Sequence, residues 1–100
     1  MRPFQYQHTY KRVYAQMIDL LRDRGLKLIS HSHETGLIEA KRKRTIFSPE
    51  LLLNIKIIKQ GELSTEVIVN AVQKVHWFRM SKKRINHFEK TIIGTLDGRL

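Results

Sequence analysis

The sequence predicts an α+β fold of order β-α-β-β-β-β-α, an antiparallel sheet with two helices packed on one face. Three observations carry this reading. Segments around residues 10–21 and 85–96 repeat apolar side chains at three- and four-residue spacing, the period of a helix that buries one side. Between them, several runs alternate apolar and polar residues or are rich in β-branched residues, as strands are. Glycine and small polar residues punctuate those runs where hairpins would turn.

Each element has its own justification. Phe4-Gln5-Tyr6-Gln7-His8 alternates, with Phe4 and Tyr6 on one side, and reads as a short first strand. Thr9 suits a helix N-cap, because its side-chain oxygen can accept an N–H left free in the first turn. Tyr10, Val13, Tyr14, Met17, Leu20 and Leu21 then form an apolar stripe against Lys11, Arg12, Gln16, Asp19, Arg22 and Asp23. Arg22 and Arg24 complement the C-terminal end of the helix dipole, and Gly25 supplies a left-handed stop. Leu26 to His31 reads as a strand, Ser32 to Gly36 as a turn, and Leu37 to Lys43 as a strand with Ile38 and Ala40 inward.

Residues 49–58 read two ways. Ser48-Pro49 can open a helix. The alternation of Leu51, Leu53, Ile55 and Ile57 with Asn54 and Lys56 favours a strand. Gln60-Gly61-Glu62 turns the chain into Ser64 to Val72, a β-branched alternating strand. In the last helix Ile85, Phe88, Ile92 and Leu96 share one side, against Lys83, Asn86, Glu89 and Lys90. Ser81 can cap its start, and Gly98 is expected to end it. The expected core is Val13, Met17, Leu21, Ile38, Leu53, Ile55, Val67, Val69, Ile85, Phe88 and Ile92. Two one-sided helices need one apolar sheet face, which leaves the other face for solvent or for binding.

The Tyr10-to-Leu21 helix, the Gly36-x-Ile38-x-Ala40-Lys41 step and the Lys82-Lys83-Arg84-Ile85-x-x-Phe88 entry to the last helix carry a resemblance that covers nearly the whole chain. In these, the chain resembles the TATA-binding-protein-like class of folds and a group of short, uncharacterised bacterial domains. The resemblance implies a fold and no activity. The TATA-binding protein itself carries two such repeats, and its function is not carried over to a single copy.

Composition narrows the function classes. The 100 residues suit one domain spanning 1–100. With no cysteine, a disulfide framework, a thiolate metal site and a cysteine nucleophile are all excluded. The first residues lack an apolar run of signal-peptide type, and runs such as Leu51-Leu52-Leu53 are too short to span a bilayer. The expected location is cytoplasmic. Nineteen Lys and Arg against nine Asp and Glu give a formal net charge of +10. Such a charge directs attention to nucleic acid, phosphate or another acidic surface as partner, with simple solubilisation as the competing role.

Two basic clusters are the candidate anion-binding residues. Lys41-Arg42-Lys43-Arg44 is one; alternate side chains of a strand point apart, so only half of it can address a single ligand unless the strand ends near Arg42. Arg79, Lys82, Lys83 and Arg84 are the other, placed at a helix start whose dipole prefers anions. Trp77 and Phe78 stand beside the second cluster and suit either aromatic contact with a ligand or capping of the core. His31, His33 and Glu34 could in principle ligate a metal, but the set is incomplete and reads as a polar turn. Carboxylates are scattered, and no nucleophile–base order or phosphate-loop glycine pattern appears, so neither catalysis nor a cofactor is expected. The expected activity is binding of an anionic partner through basic patches. Protein–protein assembly, or a small ligand held between helices and sheet, are the alternatives.

Overall fold

The computed structural model describes residues 3–42, 50–73 and 82–100. Its elements are β1 (Phe4–Tyr6), α1 (Tyr10–Asp23), β2 (Lys27–Ser32), β3 (Leu37–Arg42), β4 (Leu51–Gly61), β5 (Ser64–Gln73) and α2 (Lys82–Arg99). The fold is α+β, with one five-stranded sheet in the order β1-β5-β4-β3-β2 and every neighbouring pair antiparallel. Strands β2 to β5 form the meander. β1 joins the far edge beside β5, so α1 carries the chain across the sheet from one edge to the other.

The register explains why one face is apolar. Ile38, Ile55 and Val69 lie opposite one another across β3, β4 and β5, as do Ala40, Leu53 and Ala71. All six are buried beneath the helices. The strand reading of residues 51–57 holds, with Leu51, Leu53, Ile55 and Ile57 all inward and buried. From α1, Val13, Met17, Leu20 and Leu21 meet them, and from α2, Ile92, Ile93 and Leu96. Burying one such aliphatic side chain stabilises the fold by about 1.5–3 kcal/mol.

The α1 boundaries follow the expected chemistry. Thr9 Oγ1 accepts the Arg12 N–H at 3.2 Å. Gly25, at φ 75°, donates its N–H to the Arg22 carbonyl at 2.9 Å, and Leu26 donates to Leu21 at 3.0 Å. Gly36 is under a tighter constraint. Its φ is 73°, and a Cβ there would fall 2.0 Å from the Ile57 carbonyl oxygen. The β2–β3 turn therefore sits directly on β4, with the Ile57 N–H donating to the Gly36 carbonyl at 2.8 Å.

Four boundaries or burials differ from the sequence expectation. β1 ends at Tyr6, because the Thr65 hydroxyl holds the His8 carbonyl at 2.8 Å and bends the chain into α1. The β4–β5 turn falls on Glu62 and Leu63, with Gly61 still paired to Ser64. Helix α2 does not stop at Gly98: that residue keeps a negative φ, and Arg99 reaches across to the Asp23 carboxylate of α1. The expected cap at Ser81 lies outside the described residues.

The fourth difference matters most for the site. Ile85 and Phe88 are only half-buried, while Glu89 and Ile93 are buried. The side of α2 that enters the core is thus rotated relative to the expected stripe. β1 pairs only with Thr65 to Val67, and α2 packs against β5. The Glu89 carboxylate accepts the Ala71 N–H of β5 at 2.7 Å, which satisfies a buried donor on that strand and pulls the helix round. At the other end of α2, Tyr6 packs against the core with a buried hydroxyl that lacks a hydrogen bond of good geometry. Burial pushes its pKa well above the ordinary tyrosine value, and the Asp97 carboxylate adds to the rise.

Among the described residues no helix is long and apolar enough to cross a membrane.

Candidate functional site

The alternation along β3 sorts its basic end. Arg42 follows Ile38 and Ala40 on the helix-covered face, opposite Leu51. Lys41 points to the other face and pairs with Glu50 at 3.4 Å. The Lys41-to-Arg44 cluster is therefore split at its first two members. Lys43 and Arg44 lie outside the described residues, as do Arg79, Trp77 and Phe78.

The remaining candidates sit on the first turn of α2, where Lys82, Lys83 and Arg84 are all exposed. The helical period then builds two adjacent stripes, the exposed Lys83-His87-Lys90 and, beside it, Arg84-Phe88-Thr91, which runs from the exposed Arg84 to the half-buried Phe88 and Thr91 at the edge of the core. Arg42 meets the second stripe. Its guanidinium carbon lies 4.9 Å from the centroid of the Phe88 ring, a cation–π contact between sheet and helix. Around this contact is a cleft of about 730 Å³ lined by Arg42, Phe88, Lys83, Arg84, His87 and Lys90, together with Asn86 and Thr91. Lys82 does not line it.

The structure thus brings Arg42 from one predicted cluster against Lys83 and Arg84 from the other. Burial depresses the Arg42 pKa, and the neighbouring Arg84 charge depresses it further. None of the described lining residues carries a carboxylate. Like charges gathered in a concave, partly dehydrated place repel one another, and an anion entering it reverses the sign of that interaction. The chemistry on offer is charge, the guanidinium forks of Arg42 and Arg84, and the ammonium donors of Lys83 and Lys90.

His87, Phe88 and Lys90 were missed as site residues by the sequence reading. Their i, i+4, i+7 spacing with Lys83 and Arg84 was the available signal. Phe88 had been assigned to the core, and that assignment hid the second stripe.

The opposite end of β3 is built differently. His31 lies on β2 opposite Ile38, and His33 opens the turn. The Tyr14 hydroxyl and His31 Nδ1 are 3.1 Å apart, and the Tyr10 hydroxyl donates to the His33 carbonyl at 2.6 Å. The His33 ring stands edge-on to Tyr14 and Tyr10, with centroids 4.8 and 5.2 Å away. Burial raises the pKa of both phenols, and for Tyr10 the neighbouring Tyr14 adds to it. Among the described residues no three His, Cys, Asp or Glu side chains gather where they could hold a metal.

The outer sheet face is a third kind of surface. Leu52, Ile58 and Ile68 are half-buried there, and Leu37 and Val72 are half-exposed. Lys27, Lys41 and Lys56 stand among Glu39 and Glu66, so charge on this face is mixed in sign.

No family model matches the chain, and no curated protein matches it.

Proposed function

We propose that the protein binds an anionic partner through the cleft between the end of β3 and the first half of α2. One observation carries the reading: Arg42 and Arg84, distant in sequence, converge on one concavity whose described lining has cations and no carboxylate, where burial and then the Arg84 charge disfavour the charge on Arg42. A phosphate placed there accepts from both guanidinium forks and removes the repulsion.

The test is a comparison of two double variants. Arg42→Gln with Lys83→Gln removes two charges from the cleft, and Lys27→Gln with Lys56→Gln removes two from the outer face. Binding to labelled single- and double-stranded oligonucleotides, inorganic phosphate and anionic vesicles is followed across salt concentrations. The cleft variant should lose about tenfold or more in affinity at low salt, and the outer-face variant far less. Equal losses would mean that net charge alone governs binding, and the reading would fall.

A second reading rests on the half-exposed Leu37 and Val72 of the outer face. It places a protein partner on that apolar, mixed-charge surface. Binding of no polyanion, together with concentration-dependent association suppressed by Leu37→Ser, would favour it.

A further inference from the structure

We infer that the partner in the cleft is a single nucleic-acid strand lying along α2 and held by its backbone, an inference that rests on the anion-binding reading and narrows it.

Charge balance supports this first. Arg42, Lys83, Arg84 and Lys90 all line one cleft. A phosphate monoester carries about −1.5 to −2, which leaves such a group of cations under-neutralised. A polymer with a charge on every unit neutralises them all.

Length supports it second. Lys83 and Lys90 stand on the same side of α2, seven positions apart, which is about 10 Å along the axis. Along a strand whose phosphates step by about 3.4 Å when stacked and by more when extended, that span covers about two to four of them. The cleft, at about 730 Å³, also exceeds what one phosphate group fills.

The third argument concerns what is read. Phe88 is the largest ring among the described lining residues, and it is already engaged. Arg42 lies over it, and the rest of the side chain packs against the core. Among the described lining residues the small, exposed His87 imidazole is the other ring, so the contact runs mainly through phosphates and carries little base preference. A concave cleft accepts one sugar–phosphate backbone. A duplex meets only its rim.

The experiment uses the full chain and a thymidine oligonucleotide of about twelve units, a length in the range of small single-strand sites. Adenine oligomers of the same length, the matching duplex, thymidine monophosphate and poly-glutamate serve as competitors. The thymidine oligomer should bind with a log–log salt slope of about −1.4 to −2.8, given about 0.7 per contact for two to four phosphates. Lys83→Gln and Lys90→Gln should each flatten that slope by about 0.7 with an unchanged melting temperature. Adenine and thymidine oligomers should differ by less than about threefold, and the monophosphate should compete weakly. If no oligomer binds at low salt, the anion-binding reading itself fails. If oligomers bind but Lys90→Gln is silent, or the monophosphate competes as well as the oligomer, the anion reading survives and the strand inference is overturned. Tighter binding of duplex or poly-glutamate, or a base preference beyond about tenfold, overturns the strand inference as well.

Discussion

The two ends of β3 each bring rings and cationic or nitrogen-bearing side chains from the helical layer onto the sheet. They lie about 16 Å apart along the strand. At the Leu37 end, every ring of Tyr10, Tyr14 and His33 faces another ring, and the Tyr10 hydroxyl closes on a backbone carbonyl. At the Arg42 end, one cation covers one ring, and a second arginine disfavours the first. The turn end is a set of mutually satisfied contacts that stabilises the free protein. The cleft end holds an electrostatic conflict that a ligand can relieve. Histidine and tyrosine side by side thus pack as architecture here, and a cluster of like charges marks the proposed site.

Substitutions should separate the two ends sharply. The largest effect belongs to Gly36→Ala at the turn end. It forces a side chain into positive φ and a Cβ into the Ile57 carbonyl, and should cost about 3–5 kcal/mol, read as a fall in denaturation midpoint. An unchanged midpoint would show that the turn is not seated on β4.

Glu89→Ala should follow, at about 1–3 kcal/mol, because it strands the buried Ala71 N–H. Glu89→Gln keeps a carbonyl acceptor and should restore most of that loss. Equal losses for the two variants would mean that the acceptor on Ala71 is not what holds α2 to β5. Tyr14→Phe removes the hydroxyl of the buried Tyr14 that meets His31 and should cost about 0.5–1.5 kcal/mol, measured the same way.

The smallest stability effect belongs to the cleft. Lys83→Gln should change unfolding free energy by no more than about 0.5 kcal/mol while weakening polyanion binding several-fold. A variant that destabilised the fold as much as Tyr14→Phe would erase the contrast between the two ends.

Most of the fold was legible in the sequence, because its signals are local. Thr9 and Gly25 bound α1 through hydrogen bonds within one turn, and the alternation from Leu51 to Ile57 overrode the helix-like Ser48-Pro49 start. Less legible were features set by partners far along the chain. The bend after Tyr6 depends on Thr65, and the rotation of α2 depends on Ala71. Gly98 looked like a stop, yet the last turn is held by Arg99 reaching Asp23.

The candidate site was legible only in halves. The alternation rule separated Lys41 from Arg42, and the cations at the start of α2 were plain. Their convergence was not, because it requires knowing that β3 ends beside α2. Reading Phe88 as core concealed the stripe it shares with Arg84.

The central claim is that the anion sits among Arg42, Lys83, Arg84 and Lys90 rather than on the outer sheet face. At 100 residues the chain suits amide-resolved NMR titration with a short thymidine oligonucleotide. Shifts should concentrate on Arg42 and on Lys83 to Thr91, with Asn54, Ile68, Asn70 and Val72 of the outer face unmoved. Shifts centred on those outer-face residues, with α2 silent, would contradict the account.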